Sequence, residues 1–131
     1  MNVKEHELTI SSSQFKSKLT DRDLLLLEAI CTETYNFRAQ ECQFDSLTSA
    51  IQISSAAQVK HFVSEAHHGL VNKFELYSAV SYLVQDFLDT SRQMYDESKD
   101  LENEDEYLAV MAKNINDSED LLNRLHDAIY S

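Results

Sequence analysis

A chain of 131 residues is long enough for one hydrophobic core of ordinary size and too short for two. It contains no proline and a single glycine, Gly69, so the usual residues of tight turns and hairpins are missing and glycine-rich phosphate loops are excluded with them. The formal net charge of −12 repels phosphate backbones and anionic lipids at long range and favours basic protein surfaces.

The charge is uneven. Met1 to Phe74 holds seven Lys/Arg against nine Asp/Glu, a balance of −2, whereas Glu75 to Ser131 holds four against fourteen, a balance of −10. Two cysteines, Cys31 and Cys42, are too few for a disulfide framework and read as thiols of a reducing compartment. The N-terminus lacks the apolar run of a secretory signal, and the longest apolar stretch is Leu24 to Leu27. The expectation is a cytoplasmic protein with no membrane span.

In chain order, residues 1–18 read as a loosely held arm with a short extended piece at Leu8 to Ile10. Thr20-Asp21-Arg22-Asp23 supplies an N-cap hydroxyl and two first-turn carboxylates, which predicts a helix to about Arg38 with Leu24, Leu27, Ile30, Cys31, Tyr35 and Phe37 on its apolar face. A second helical region opens near Asp45 or Ser46. It is expected to break at Ile53-Ser54, with Ser54 capping a helix that bears Ala57, Val59, Phe62, Val63 and Ala66 and ends at Gly69 as a left-handed C′ residue. From about Asn72 a long helix carries Leu76, Val80, Leu83, Phe87, Thr90 and Met94 as its seam. The last region carries Leu101, Leu108, Met111, Ile115, Leu122, Leu125 and Ile129, as one helix or as two with Asn116 and Glu119 capping the second. The expected fold is all-α. It is a single-domain bundle of four to six helices over residues 19–131, in which 74–131 forms an acidic half with the last two helices long and antiparallel.

Candidate chemistry is sparse. His61, Glu65 and His68 share one helical face and offer two imidazoles and a carboxylate to a metal, but no second Glu-x-x-His exists to complete a two-metal bundle site. His67 or His68 as a phosphoacceptor is disfavoured because Gly69 ends the helix at once. Cys31 sits on an apolar face and Cys42 has no His near in sequence, so neither reads as a nucleophile. No catalytic residue, metal or cofactor is assigned, and a non-enzymatic role is expected.

One stretch carries a resemblance. Leu19-Thr20-Asp21-Arg22-Asp23-Leu24-Leu25-Leu26-Leu27-Glu28-Ala29-Ile30, then Leu47 to Ile51, Ile53-Ser54-Ser55-Ala56-Ala57-Gln58-Val59, and Val63 to Gly69-Leu70-Val71 together resemble winged-helix transcription regulators of the antibiotic-resistance-repressor type. The resemblance implies a helix-turn-helix core over residues 19–73, with Ser54, Ser55, Gln58 and Lys60 at the DNA-facing start of a recognition helix and a homodimer joined through the C-terminal helices.

The leading expectation is different: an acidic regulatory or inhibitory protein of the immunity, anti-defence, anti-sigma or chaperone type. Its partner-binding residues would be Asp96, Glu97, Asp100, Glu102, Glu104, Asp105 and Glu106, clustered around a helix junction and matched to a basic surface on a protein partner. The DNA-binding regulator is the alternative.

Overall fold

Three local caps set where the chain turns helical. Ser11 and Gln14 exchange side-chain and backbone hydrogen bonds, the reciprocal capping box of a short helix. Thr20 and Asp23 do the same: the Asp23 amide donates to Thr20 Oγ1 at 3.0 Å and the Thr20 amide donates to an Asp23 carboxylate oxygen at 3.1 Å. At Asn72 the side-chain carbonyl accepts from the Glu75 amide at 3.0 Å.

The structure, a computed structural model, describes residues 8–41, 47–64, 69–101 and 105–130, with side chains for 8–36, 54–64, 69–101 and 105–130. Among these the chain forms β1 (Thr9–Ser11), α1 (Ser12–Ser17), α2 (Asp21–Glu41), α3 (Leu47–Ser64), β2 (Leu70–Asn72), α4 (Lys73–Ser98) and α5 (Asp105–Tyr130). The fold is all-α but for one small antiparallel ribbon, in which Ile10 of β1 pairs with Val71 of β2.

The helices form two hairpins. In the first, Glu28 of α2 accepts from Ser64 of α3 at 3.0 Å, while Cys31, Tyr35, Ala57 and Lys60 line one cleft between the two helices. In the second, Tyr77 near the start of α4 meets His126 and Tyr130 near the end of α5, and Arg92 further along α4 meets Glu119. Rising numbers on α4 thus face falling numbers on α5, so the last two helices are long and antiparallel, as expected. Helix α5 is continuous from Asp105 to Tyr130, which settles the one-or-two question at Asn116 as one.

The core lies where the hairpins meet: Leu27, Ile30, Cys31, Ala56, Val59, Phe62, Leu76, Val80, Leu83, Leu121, Leu125 and Ile129 are all buried in one cluster. Phe15 belongs to it with no exposed surface, and its ring lies 6.0 Å from that of Phe62.

Of the loosely held arm expected over residues 1–18, residues 1–7 lie outside the described residues, and from Thr9 onward the chain is a packed segment. The reason is a set of bonds far apart in sequence. The Ser12 hydroxyl donates to the Phe62 carbonyl at 2.6 Å and Lys16 Nζ donates to the Val63 carbonyl at 3.2 Å. Both carbonyls belong to the last described turn of α3. Helix α1 is thus tied to α3 by two side-chain bonds, with Ile10 and Phe15 buried in the core beside them. We expect Phe15→Ala to cost about 3–5 kcal/mol in a denaturant titration, from lost burial plus a cavity.

The expected break at Ile53-Ser54 is absent: α3 runs through it as one helix of 18 residues. The segment contains neither proline nor glycine, and Ser54 Oγ accepts from Gln58 Nε2 one turn on, at 3.4 Å, instead of capping a new start. The closing role given to Gly69 involves Glu65 to His68, which lie outside the described residues.

The seam of α4 also shifts along its length. Leu76, Val80 and Leu83 are buried as expected, but the buried line then passes to Val84, Leu88 and Ser91, while Phe87 is half-buried and Thr90 and Met94 are exposed. Helix α4 has α2, α3 and α5 as neighbours; α3 meets it near its start, around Leu76 and Ala79, and towards its end Leu88 and Ser91 are the residues that stay buried. Leu88 is buried yet stands apart from the main core cluster. On α2, Tyr35 is exposed; Phe37 has no described side chain.

Candidate docking surface

Electrostatics distinguish two regions of the molecule. At the junction of the hairpins, Asp23 sits at the first turn of α2 with its side chain only 2% exposed, held bidentately by Arg124 of α5, whose Nε donates at 2.8 Å and whose Nη2 also donates. Burial alone would raise the Asp23 carboxyl, but the Arg124 guanidinium and the Thr20 amide and hydroxyl together hold it below its ordinary value. Arg22 lies 3.9 Å from Asp117, which Lys113 also pairs at 2.7 Å. These groups tie α2 to α5.

The second region is the far end of the α4–α5 hairpin. Arg92 and Glu119, bonded at 3.0 Å, mark the level at which it begins. Between Arg92 and Asp117 no described residue is buried. Tyr95, Tyr107, Leu108, Met111 and Ile115 are half-covered, and Met94, Leu101 and Val110 are 39%, 57% and 54% exposed. This stretch is a bare helix pair with apolar side chains in water.

The structure brings the expected acidic residues together there. Asp96 and Glu97 occupy the last turn of α4, Asp100 lies just beyond it, and Asp105 and Glu106 open α5; all five are exposed. Glu102 and Glu104 lie outside the described residues. From Asp96 to Glu106 the sequence has seven carboxylates and one cation, Lys99, whose ammonium is 3.9 Å from Asp96.

The two sides of this tip differ in energetic meaning. Asp105 and Glu106 stand at the positive end of the α5 dipole and favour the helix. Asp96 and Glu97 stand at the negative end of the α4 dipole, in a last turn with no basic residue, and disfavour it. We expect Asp96→Asn with Glu97→Gln to raise the Tm slightly, by an amount worth at most about 1 kcal/mol, in thermal melts at low salt.

The residues implied by the winged-helix resemblance fall elsewhere. Ser54, Gln58 and Lys60 are exposed on α3 and Ser55 is half-buried, but they sit in the middle of one straight helix rather than at the start of a recognition helix. Lys60 lines the cleft against α2. Leu70 to Asn72, expected to lead into a wing, pair instead with the N-terminal strand, and α4 begins at Lys73 directly. The two-helix turn and the wing are thus both absent from the described residues.

Other candidates are equally plain. The cleft between α2 and α3, about 320 Å³, has Cys31 at its base. Burial pushes that thiol up to about 12, keeping it protonated where a nucleophile needs a thiolate. Cys42, Glu65, His67 and His68 lie outside the described residues. Among the described residues no group of three His, Cys, Asp or Glu side chains is placed to hold a metal ion, and no helix is long and apolar enough to cross a membrane.

Fold and surface together define an all-α protein of two helical hairpins whose second hairpin ends in an acidic, partly apolar tip. The chain matches no protein-family model, no curated protein and no solved structure.

Proposed function

We propose that this protein is a non-enzymatic regulator or inhibitor that docks the tip of its α4–α5 hairpin on a basic surface of a protein partner. One observation carries the reading: the acidic residues cluster on a part of the fold that contributes no buried residue, and two of them lie where they weaken their own helix. Charges arranged for stability or solubility alone would avoid the C-terminal turn of α4. Opposite charge on a partner would speed association and fix orientation, and Met94, Leu101 and Val110 would supply the apolar contact that rim charges do not. A regulator or inhibitor needs no more than this, since blocking or holding a partner requires contact and no chemistry.

The test is capture from a lysate of the native host, comparing the unaltered chain with Asp96→Lys/Glu97→Lys/Asp105→Lys/Glu106→Lys, each with and without nuclease. The expected result is a protein retained by the unaltered chain through nuclease treatment, released by moderate salt and absent from the variant. Equal retention by the variant, or recovery of DNA that nuclease removes, would overturn the proposal.

A further inference from the structure

Phe87, Met94 and Leu101 recur at seven-residue intervals along α4 and the turn that continues it. They prolong the face that Leu76, Val80 and Leu83 present to the core. In the near half of α4 that face is covered by the first hairpin. In the far half the cover is gone, and exposure rises stepwise: Phe87 is half-buried, Met94 39% exposed and Leu101 57% exposed. The neighbouring line, Leu88, Ser91 and Tyr95, remains covered. The far half of α4 therefore keeps α5 alone, where the near half also has the first hairpin.

Resting on the docking reading above, we infer that this open face receives a basic amphipathic helix of the partner, laid along α4 as the first hairpin is laid along its near half. A seven-residue apolar repeat is the pattern that a second helix packs against, with one apolar position meeting it every two turns. The charge around the stripe selects the kind of helix. Glu97 borders Met94 on the neighbouring side of α4, and Asp96, Asp100, Asp105 and Glu106 are exposed at the same end of the hairpin, so a helix seated there needs Lys or Arg beside its apolar residues. A second copy of this chain does not fit, because each tip would set seven carboxylates and one lysine against the same charges on its twin.

The experiment uses the full chain and two fluorescein-labelled peptides of about 20 residues, long enough to span the open face. Both contain the same Leu, Ala and Lys residues. In one the leucines share a helical face; in the other they are scattered around the helix. Fluorescence anisotropy at roughly 0.15 M salt is expected to show the amphipathic peptide binding at least about tenfold more tightly than the scattered one. Met94→Gln/Leu101→Gln is expected to abolish that preference and leave the scattered peptide's affinity unchanged. Leu101→Gln alone, placed beyond the end of α4 where it does not disturb the helix, reduces the preference in part. Equal binding of the two peptides, or a preference untouched by both variants, overturns the inference. The docking reading then stands if Asp96→Lys/Glu97→Lys/Asp105→Lys/Glu106→Lys releases both peptides. Failure of both peptides to bind removes the inference and the docking reading together.

Discussion

Replacing Arg124 by Met should destabilise the protein by about 3 kcal/mol at neutral pH, near the low end of what is lost when one side of a buried ion pair is removed. The low end applies because Arg124 is 42% exposed while Asp23 is not, so water already screens the outer side of the guanidinium. What remains in the variant is a carboxylate that is 2% exposed in the native fold and is left with the hydrogen bonding of Thr20. The pH dependence carries the sign of a lowered carboxyl. In the native chain Asp23 titrates below its ordinary 3.8, so the stability it contributes is fully present above that value and is lost as pH falls through the lowered folded one. In the variant, burial without Arg124 pushes the same carboxyl upward, so it takes up a proton earlier. The stability difference between the two proteins should therefore be largest near neutrality and shrink as pH falls from the variant's raised carboxyl value to the native chain's lowered one, a window that straddles the ordinary 3.8. Urea titrations at several pH values measure it.

The second large effect concerns association. With the partner in hand, reversing Asp96, Glu97, Asp105 and Glu106 to Lys should lower the association rate constant by about tenfold or more at low salt, and change the dissociation rate less. Rising salt should slow association of the unaltered chain and affect the variant little, since the field that steers encounter is the one removed. Stopped-flow mixing across a salt series checks both. A variant that associates as fast as the original at low salt would mean that the tip charges do not face the partner.

Much of the fold was legible because its signals are local. The absence of proline, the Thr20–Asp23 and Asn72 caps and the long apolar repeats of residues 72–129 state helices and their starts directly. What was hidden depends on residues far apart. Helix α1 is six residues long and its hold on the body comes from bonds to carbonyls 47 and 50 residues away, so no window of sequence could reveal it. The Asp23–Arg124 pair spans 101 residues; its one local trace is an arginine set among Leu121, Leu122 and Leu125 on an otherwise apolar face. The false break at Ser54 arose because serine suits an N-cap as well as a helix interior in which its hydroxyl finds a partner one turn on, here Gln58.

The proposed docking surface divides the same way. Its charge was plain in the −10 balance of the second half, and the helix junction that gathers it was placed correctly. That α4 and α5 outrun their cover was not, because it depends on where α2 and α3 lie against them. The seam residues Thr90 and Met94 are the visible consequence: their spacing matches a core position, and only the missing neighbour leaves them in water.

Hydrogen–deuterium exchange of the full chain, with and without the captured partner, tests the central claim most directly. Docking through the tip predicts slowed amide exchange from Arg92 to Leu101 and from Asp105 to Asp117, with little change over Ser54 to Ser64. Slowing confined to α3 and the α2–α3 cleft, with the tip exchanging as fast as in the free protein, would contradict it.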